Sequence, residues 1–210
     1  MRESAAINGM RKVLKMLGVL SALLCLGCGV PAGGTVKAKR LTHDETLQWV
    51  REHRAWRLAH KTRPIWARAV HANEVGREFW TADHATETAH DGYLLCVGVA
   101  GEPWFQKPEG LAAKYDRGAD EMKQFSFDKE PCAYTVHRPR GDVLNWAARV
   151  EGAGIEGFYI RPAYDMSHPL YSPAGGYIVR NHVTDPYEGT PDDVWLVQEA
   201  LFEQTYELLP

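Results

Sequence analysis

The sequence predicts a β-dominated α+β protein: two tandem related small β-rich units, each of about five short segments plus a short C-terminal helix, preceded by one amphipathic helix. Three observations predict it. Short apolar segments rich in β-formers alternate with turns built on Gly, Pro and Asp. A set of residues recurs in the same order 80 to 91 positions further on, as a duplicated unit requires. One stretch ahead of the first unit has helical spacing and opens on a capping box.

Taken in order, residues 1–28 read as a signal peptide. Arg11, Lys12 and Lys15 form a positive region, and Met16 to Leu26 form an apolar run of eleven residues. At ~1.5 Å per residue that run falls short of a ~30 Å hydrocarbon core, and it fits the apolar core of an export signal. It ends Leu26-Gly27-Cys28, which resembles a bacterial lipobox, so Cys28 is the expected lipidation site. Cys25 stands where that pattern usually has Leu, and cleavage without lipid is the alternative. Residues 29–41 are a flexible linker.

The helix is expected over 42–60. Thr42 and Glu45 have the capping-box spacing, and Leu47, Trp49, Val50 and Trp56 give a broad apolar face. The first unit, 61–118, has strands near Ile65 to Val70, Glu78 to Thr81 and Tyr93 to Val99. A turn at Gly98 to Gly101, a strand around Trp104 and a short helix opening on Pro108-Glu109 follow. Residues 119–142 are polar and read as a connector. The second unit, 143–210, repeats the plan with Asn145 to Val150, Gly157 to Ile160, Tyr177 to Arg180, Trp195 and a helix from Glu199.

The repeat rests on ordered pairs. Trp66 answers Trp146, Phe79 answers Tyr159, and Gly92-Tyr93 answers Gly176-Tyr177. Trp104 answers Trp195, and Tyr115 answers Tyr206. Leu111 and Tyr115, like Phe202 and Tyr206, are four apart and fall on one helical face.

Pro64-Ile65-Trp66-Ala67-Arg68-Ala69, then His90-Asp91-Gly92-Tyr93-Leu94-Leu95-Cys96-Val97-Gly98-Val99-Ala100-Gly101-Glu102, then Lys107-Pro108-Glu109 and Tyr115-Asp116 resemble the PGDYG family. These are small bacterial and phage proteins with a Pro-Gly-Asp-Tyr-like turn, a Gly-Val-x-Gly-Glu hairpin and a Lys-Pro-Asp ending. The resemblance covers Lys61 to Asp116 closely and Val143 to Glu207 more loosely. It departs at the turn itself, where the copies read His90-Asp91-Gly92-Tyr93 and Ala174-Gly175-Gly176-Tyr177. It implies the fold and carries no activity across.

Composition narrows the function classes. Of 210 residues, 45% are hydrophobic, 24% charged and 10% aromatic, which excludes a disordered or collagen-like chain. Net charge is -3, and without residues 1–28 the chain holds 20 basic and 26 acidic side chains, a net of -6. No nucleic-acid partner is expected from that balance, and membrane attachment is assigned to the lipid.

Candidate chemistry is sparse. Asp91 could orient His90 as a general base, but a tight turn explains Asp-Gly without catalysis. Nine His include no HxH or HExxH spacing, so no metal and no cofactor is expected. The repeated Trp66, Trp104, Trp146 and Trp195 are either core or an aromatic platform for a sugar or peptide. Cys96 and Cys132 are a possible disulfide, closing a loop of about 37 residues worth roughly 3–4 kcal/mol, with two unrelated thiols as the alternative. The expected function is therefore a non-catalytic cell-envelope lipoprotein, exported and lipid-anchored, acting as a binding or structural module. Its partner would be an envelope protein, peptide or glycan. The rival is an envelope hydrolase using His90 and Asp91 in a cleft between the repeats.

Overall fold

Thr42 does what its spacing with Glu45 predicts. Its Oγ1 accepts from Glu45 N at 3.4 Å while Glu45 Oε2 accepts from Thr42 N at 2.9 Å, and α1 (His43–Glu52) starts there. The computed structural model describes residues 38–81, 86–163 and 166–210. Cys28, the signal segment and most of the 29–41 linker lie outside the described residues. Among the described residues, no helix is long and apolar enough to cross a membrane.

The expected helix over 42–60 is shorter in fact. Arg54 takes a left-handed φ of 46° just past its end, which turns the chain, and β2 (Arg57–Lys61) follows as a strand. Trp56 is buried between the two, its N–H donating to Tyr187 OH at 3.1 Å.

Two five-stranded antiparallel sheets form the body. The first contains β3 (Ile65–Ala69), β6 (Leu94–Val97), β7 (Pro103–Gln106), β8 (Tyr115–Lys123) and β9 (Cys132–Pro139), in the order β7-β6-β3-β9-β8. The second contains β2, β10 (Leu144–Arg149), β13 (Tyr177–Asn181), β14 (Val194–Val197) and β15 (Tyr206–Leu208), in the order β14-β13-β10-β2-β15. Short helices α2 (Pro108–Ala112) and α3 (Glu199–Thr205) follow β7 and β14. The chain is thus β-dominated with few helices.

The ladders run in corresponding registers. Trp66 faces Val97 and Trp146 faces Arg180; Trp104 faces Cys96 and Trp195 faces Val179. At the turn the correspondence differs by one residue from the sequence expectation. Val70 N donates to Tyr93 O, and Val150 N donates to Gly176 O, so Tyr93 matches Gly176. The left-handed glycines of the two turns, at φ 75° and 99°, are accordingly Gly92 and Gly175. Phe79 on β4 (Glu78–Trp80) and Phe158 are both buried, each in its own core.

The second sheet takes in a strand from ahead of the first. β2 leads into β3 through three residues, yet it pairs with β10 and β15 in the second sheet. β9 leads into β10, yet it pairs with β3 and β8 in the first. The 119–142 segment is therefore a strand hairpin rather than a connector. Its outer strand β8 is mostly solvent-exposed, so Asp116, Arg117, Asp120 and Glu121 read as loop polarity in the sequence.

Both faces of each sheet are covered. In the first, Leu111 of α2 and Tyr115 at the start of β8 pack on Ile65, Ala67 and Cys96. The hairpin of β4 with β5 (Thr86–Thr88) packs Phe79 and Ala89 on Leu95. In the second, α3 packs Phe202 on Val179 and Tyr177. The opposite face is covered by α1 and by β1 (Lys39–Leu41), β11 (Ile155–Ile160) and β12 (Leu170–Pro173).

The proposed Cys96–Cys132 bond does not form; both thiols are free. Cys96 and Thr135 flank Ala67 on opposite sides of β3, and Cys132 is three residues beyond Thr135. Two strand spacings set the strands about 10 Å apart, and three residues add about 10 Å along the strand. A disulfide needs Cα atoms within ~7 Å.

Candidate functional site

Where the two sheets meet, the chain leaves a cleft of about 660 Å³. Its walls come from both sheets. Trp104 on β7 and Trp195 on β14 are half-buried and line it, as do Tyr115 and Tyr206. The two tyrosines are not helical, as the four-residue spacing predicts. Each is the first residue of a strand, Tyr206 of β15 directly after α3 and Tyr115 of β8 with two residues between it and α2. Tyr206 still stacks on Phe202, with ring centres 4.8 Å apart, so the apolar pairing survives the change of element.

Lys61 is the centre of the arrangement. As the last residue of β2 it pairs with Tyr206 in the ladder. Its ammonium donates to Tyr115 OH at 2.8 Å, and it lies 5.3 Å and 5.5 Å from the Tyr115 and Tyr206 ring centres. One cation thus ties the first sheet to the second. Burial works against its charge, but the surrounding phenol oxygens of Tyr206 and Tyr115 outweigh burial and hold it cationic, above the usual lysine range. Burial pushes the Tyr206 phenol up as well, so it stays neutral. Opposite Tyr115 in its own ladder stands Pro139, which carries no charge.

Lys114 spans the sheets in the reverse sense. It belongs to the first half, and its ammonium lies 5.5 Å from the ring centre of Trp195 in the second. Burial, and then the charge of Lys61, pull its pKa down. Glu102 also faces the cleft, accepting from Ala100 N at 2.9 Å, and burial pushes its carboxyl up. Gly98 permits that fold-back, because a Cβ there would lie 1.8 Å from Glu102 Oε1.

The sequence-predicted positions separate into three groups. Tyr93, Trp104, Tyr115, Trp195, Tyr206 and His90 line the cleft. Asp91 and Gly92 are exposed at the turn and do not. Gly176 and Tyr177 lie inside the second unit, where Tyr177 stacks on Phe202 at 3.6 Å and a Cβ on Gly176 would meet Ser172 Oγ at 2.0 Å. His90 packs its ring at 5.4 Å from Tyr93, so His90 and Asp91 are not brought together as a dyad in the cleft. Among the described residues no three His, Cys, Asp or Glu side chains gather as metal ligands. Lys61 and Lys114 were not singled out in the sequence. An isolated lysine reads as a solvated side chain, and no local pattern marks these two as convergent.

The chain matches no protein-family model, no curated protein and no solved structure.

Proposed function

We propose that this chain is a non-catalytic binding module of the bacterial cell envelope. It consists of two divergent copies of one PGDYG-like β-rich unit, carried behind a lipid-modified Cys28, with its ligand held in the cleft between the copies. The observation that carries the reading is the cleft itself: Trp104, Trp195, Tyr115 and Tyr206 converge on it from corresponding places in the two halves. Aromatic side chains offer flat faces for a sugar ring or an apolar peptide side chain at small entropic cost. The ordered residue pairs and the shared strand order support the duplication. The basic, apolar and Gly-Cys segments in residues 1–28 support export and acylation.

Two experiments test this. The full chain, purified in detergent, is applied to arrays of neutral and charged glycans and short peptides. Retention that is lost in Trp104→Ala and Trp195→Ala, and kept in the exposed Trp80→Ala, supports the reading. Retention indifferent to both cleft tryptophans refutes it. For the anchor, metabolic labelling with palmitate should vanish in Cys28→Ala, and unchanged labelling removes the lipoprotein assignment.

A further inference from the structure

We infer that the cleft takes an anionic ligand, specifically a carboxylate carried beside a flat or apolar face and seated between the ammonium groups of Lys61 and Lys114 against Trp195. The inference rests on the cleft being a ligand site.

The cleft's charges are unequally spent. Lys61 donates to Tyr115 OH at 2.8 Å and also reaches the Tyr206 phenol, which leaves it one hydrogen. Lys114 meets the face of Trp195; no salt bridge ties either lysine among the described residues, although Asp193 acts on Lys114 and Lys61 on Glu102 through space. Arg63, exposed on the rim, adds a third cation. The carboxylates of the same cleft already hold donors. Glu87 accepts from Phe105 N at 2.9 Å, Glu102 from Ala100 N at 2.9 Å, and Asp193 from Arg180 Nε at 2.9 Å and Asn181 N at 3.0 Å.

Two ammonium groups lining one cleft repel, and burial weakens their hydration. An anion between them removes both penalties and forms charge-assisted hydrogen bonds. Tyr115, whose oxygen accepts from Lys61, has its own hydrogen left to donate to the same anion. The ring of Trp195 beneath Lys114 then supplies the surface on which the uncharged remainder of the ligand lies.

A carboxylate of this kind comes from an acidic sugar or from a peptide end, and matched pairs separate the two. Trigalacturonic acid is compared with neutral trigalactose, and acetyl-Ala-Ala with its C-terminal amide, by calorimetric titration of the full chain in detergent. The charged member of one pair should bind roughly tenfold or more tightly than its neutral partner, and Lys114→Gln should reduce that preference to under about threefold. Lys114 carries no ladder hydrogen bond through its side chain, so circular dichroism of this variant should match the parent. Lys61→Met is the second variant, and it should lose the same preference. Equal binding of charged and neutral members, abolished by Trp195→Ala, overturns the anion and leaves the cleft as a ligand site. Charge preference that survives Lys114→Gln in a folded protein also overturns it. Heat from neither pair removes both the anion and the cleft reading.

Discussion

Arg68 is a buried cation of the first sheet that holds two carboxylates. Its guanidinium is 3% exposed and donates to Glu74 at 2.6 and 2.7 Å and to Asp128 at 3.1 Å, with the Tyr134 ring 5.3 Å away. Tyr134 OH donates to Asp128 as well, at 2.9 Å, and Glu74 accepts from His71 N at 3.0 Å. Replacing Arg68 by Met keeps the apolar stem and leaves two carboxylates buried without their cation. Breaking one partner out of such a pair costs about 3–5 kcal/mol. For a protein of this size that is a fall in melting temperature of roughly 10 °C.

The Arg68 hydrogen bonds pull the Glu74 carboxyl down to about 2 against the opposing effect of burial, with the His71 N–H adding to them. A carboxylate depressed from 4.5 contributes its full stability above pH ~4.5, and loses it as pH falls from there towards ~2. A shift of that size corresponds to about 3 kcal/mol. Urea unfolding midpoints between pH 6 and 2.5 should therefore fall steeply in the parent and much less in Arg68→Met, so the gap between them closes in acid. Glu74→Gln should remove the same acid limb at a smaller cost near neutrality. A parent profile that stays flat between pH 5 and 2.5, or an Arg68→Met midpoint equal to the parent's at pH 7, refutes the reasoning.

Three further outcomes follow from packing. Gly157→Ala places a Cβ 2.5 Å from the Ser172 carbonyl oxygen, a backbone atom that cannot swing away, and should cost about 1–3 kcal/mol of thermal stability; an unchanged melting curve would show that β12 yields freely. Cys96 is wholly buried and its thiol is pushed up to about 12, whereas Cys132 is partly exposed. A thiol-specific reagent at pH 8 should thus label Cys132 first, with Cys96 labelled only on unfolding; equal rates in the folded protein contradict this burial. Leu95→Ala, at 0% exposure between β3 and the β4–β5 hairpin, should cost about 2–5 kcal/mol in chemical denaturation, and a loss below 1 kcal/mol would mean that the cavity collapses.

What the sequence by itself determined is local. Thr42 and Glu45 specify the start of α1 because both partners of the capping box lie within one turn. The segments around Trp66, Trp146, Leu95 and Ile178 are strands because their β-branched and apolar runs abut turn glycines at Gly92 and Gly175. The convergence of the repeated aromatic positions was half legible: their recurrence was plain, but whether Trp104 and Trp195 face a core or a cleft is not written in their spacing. Tertiary structure decided the rest. That β2 leaves β3 to pair with β10, and that β9 inserts between β8 and β3, follows from backbone hydrogen bonds that carry no sequence address. The polar strand β8 was invisible because an edge strand exposed on most of its length has no apolar alternation to read. Lys61 and Lys114 became a site only when β2 and α2 brought two distant segments to one cleft, since charge acts through space and the sequence records only distance along the chain.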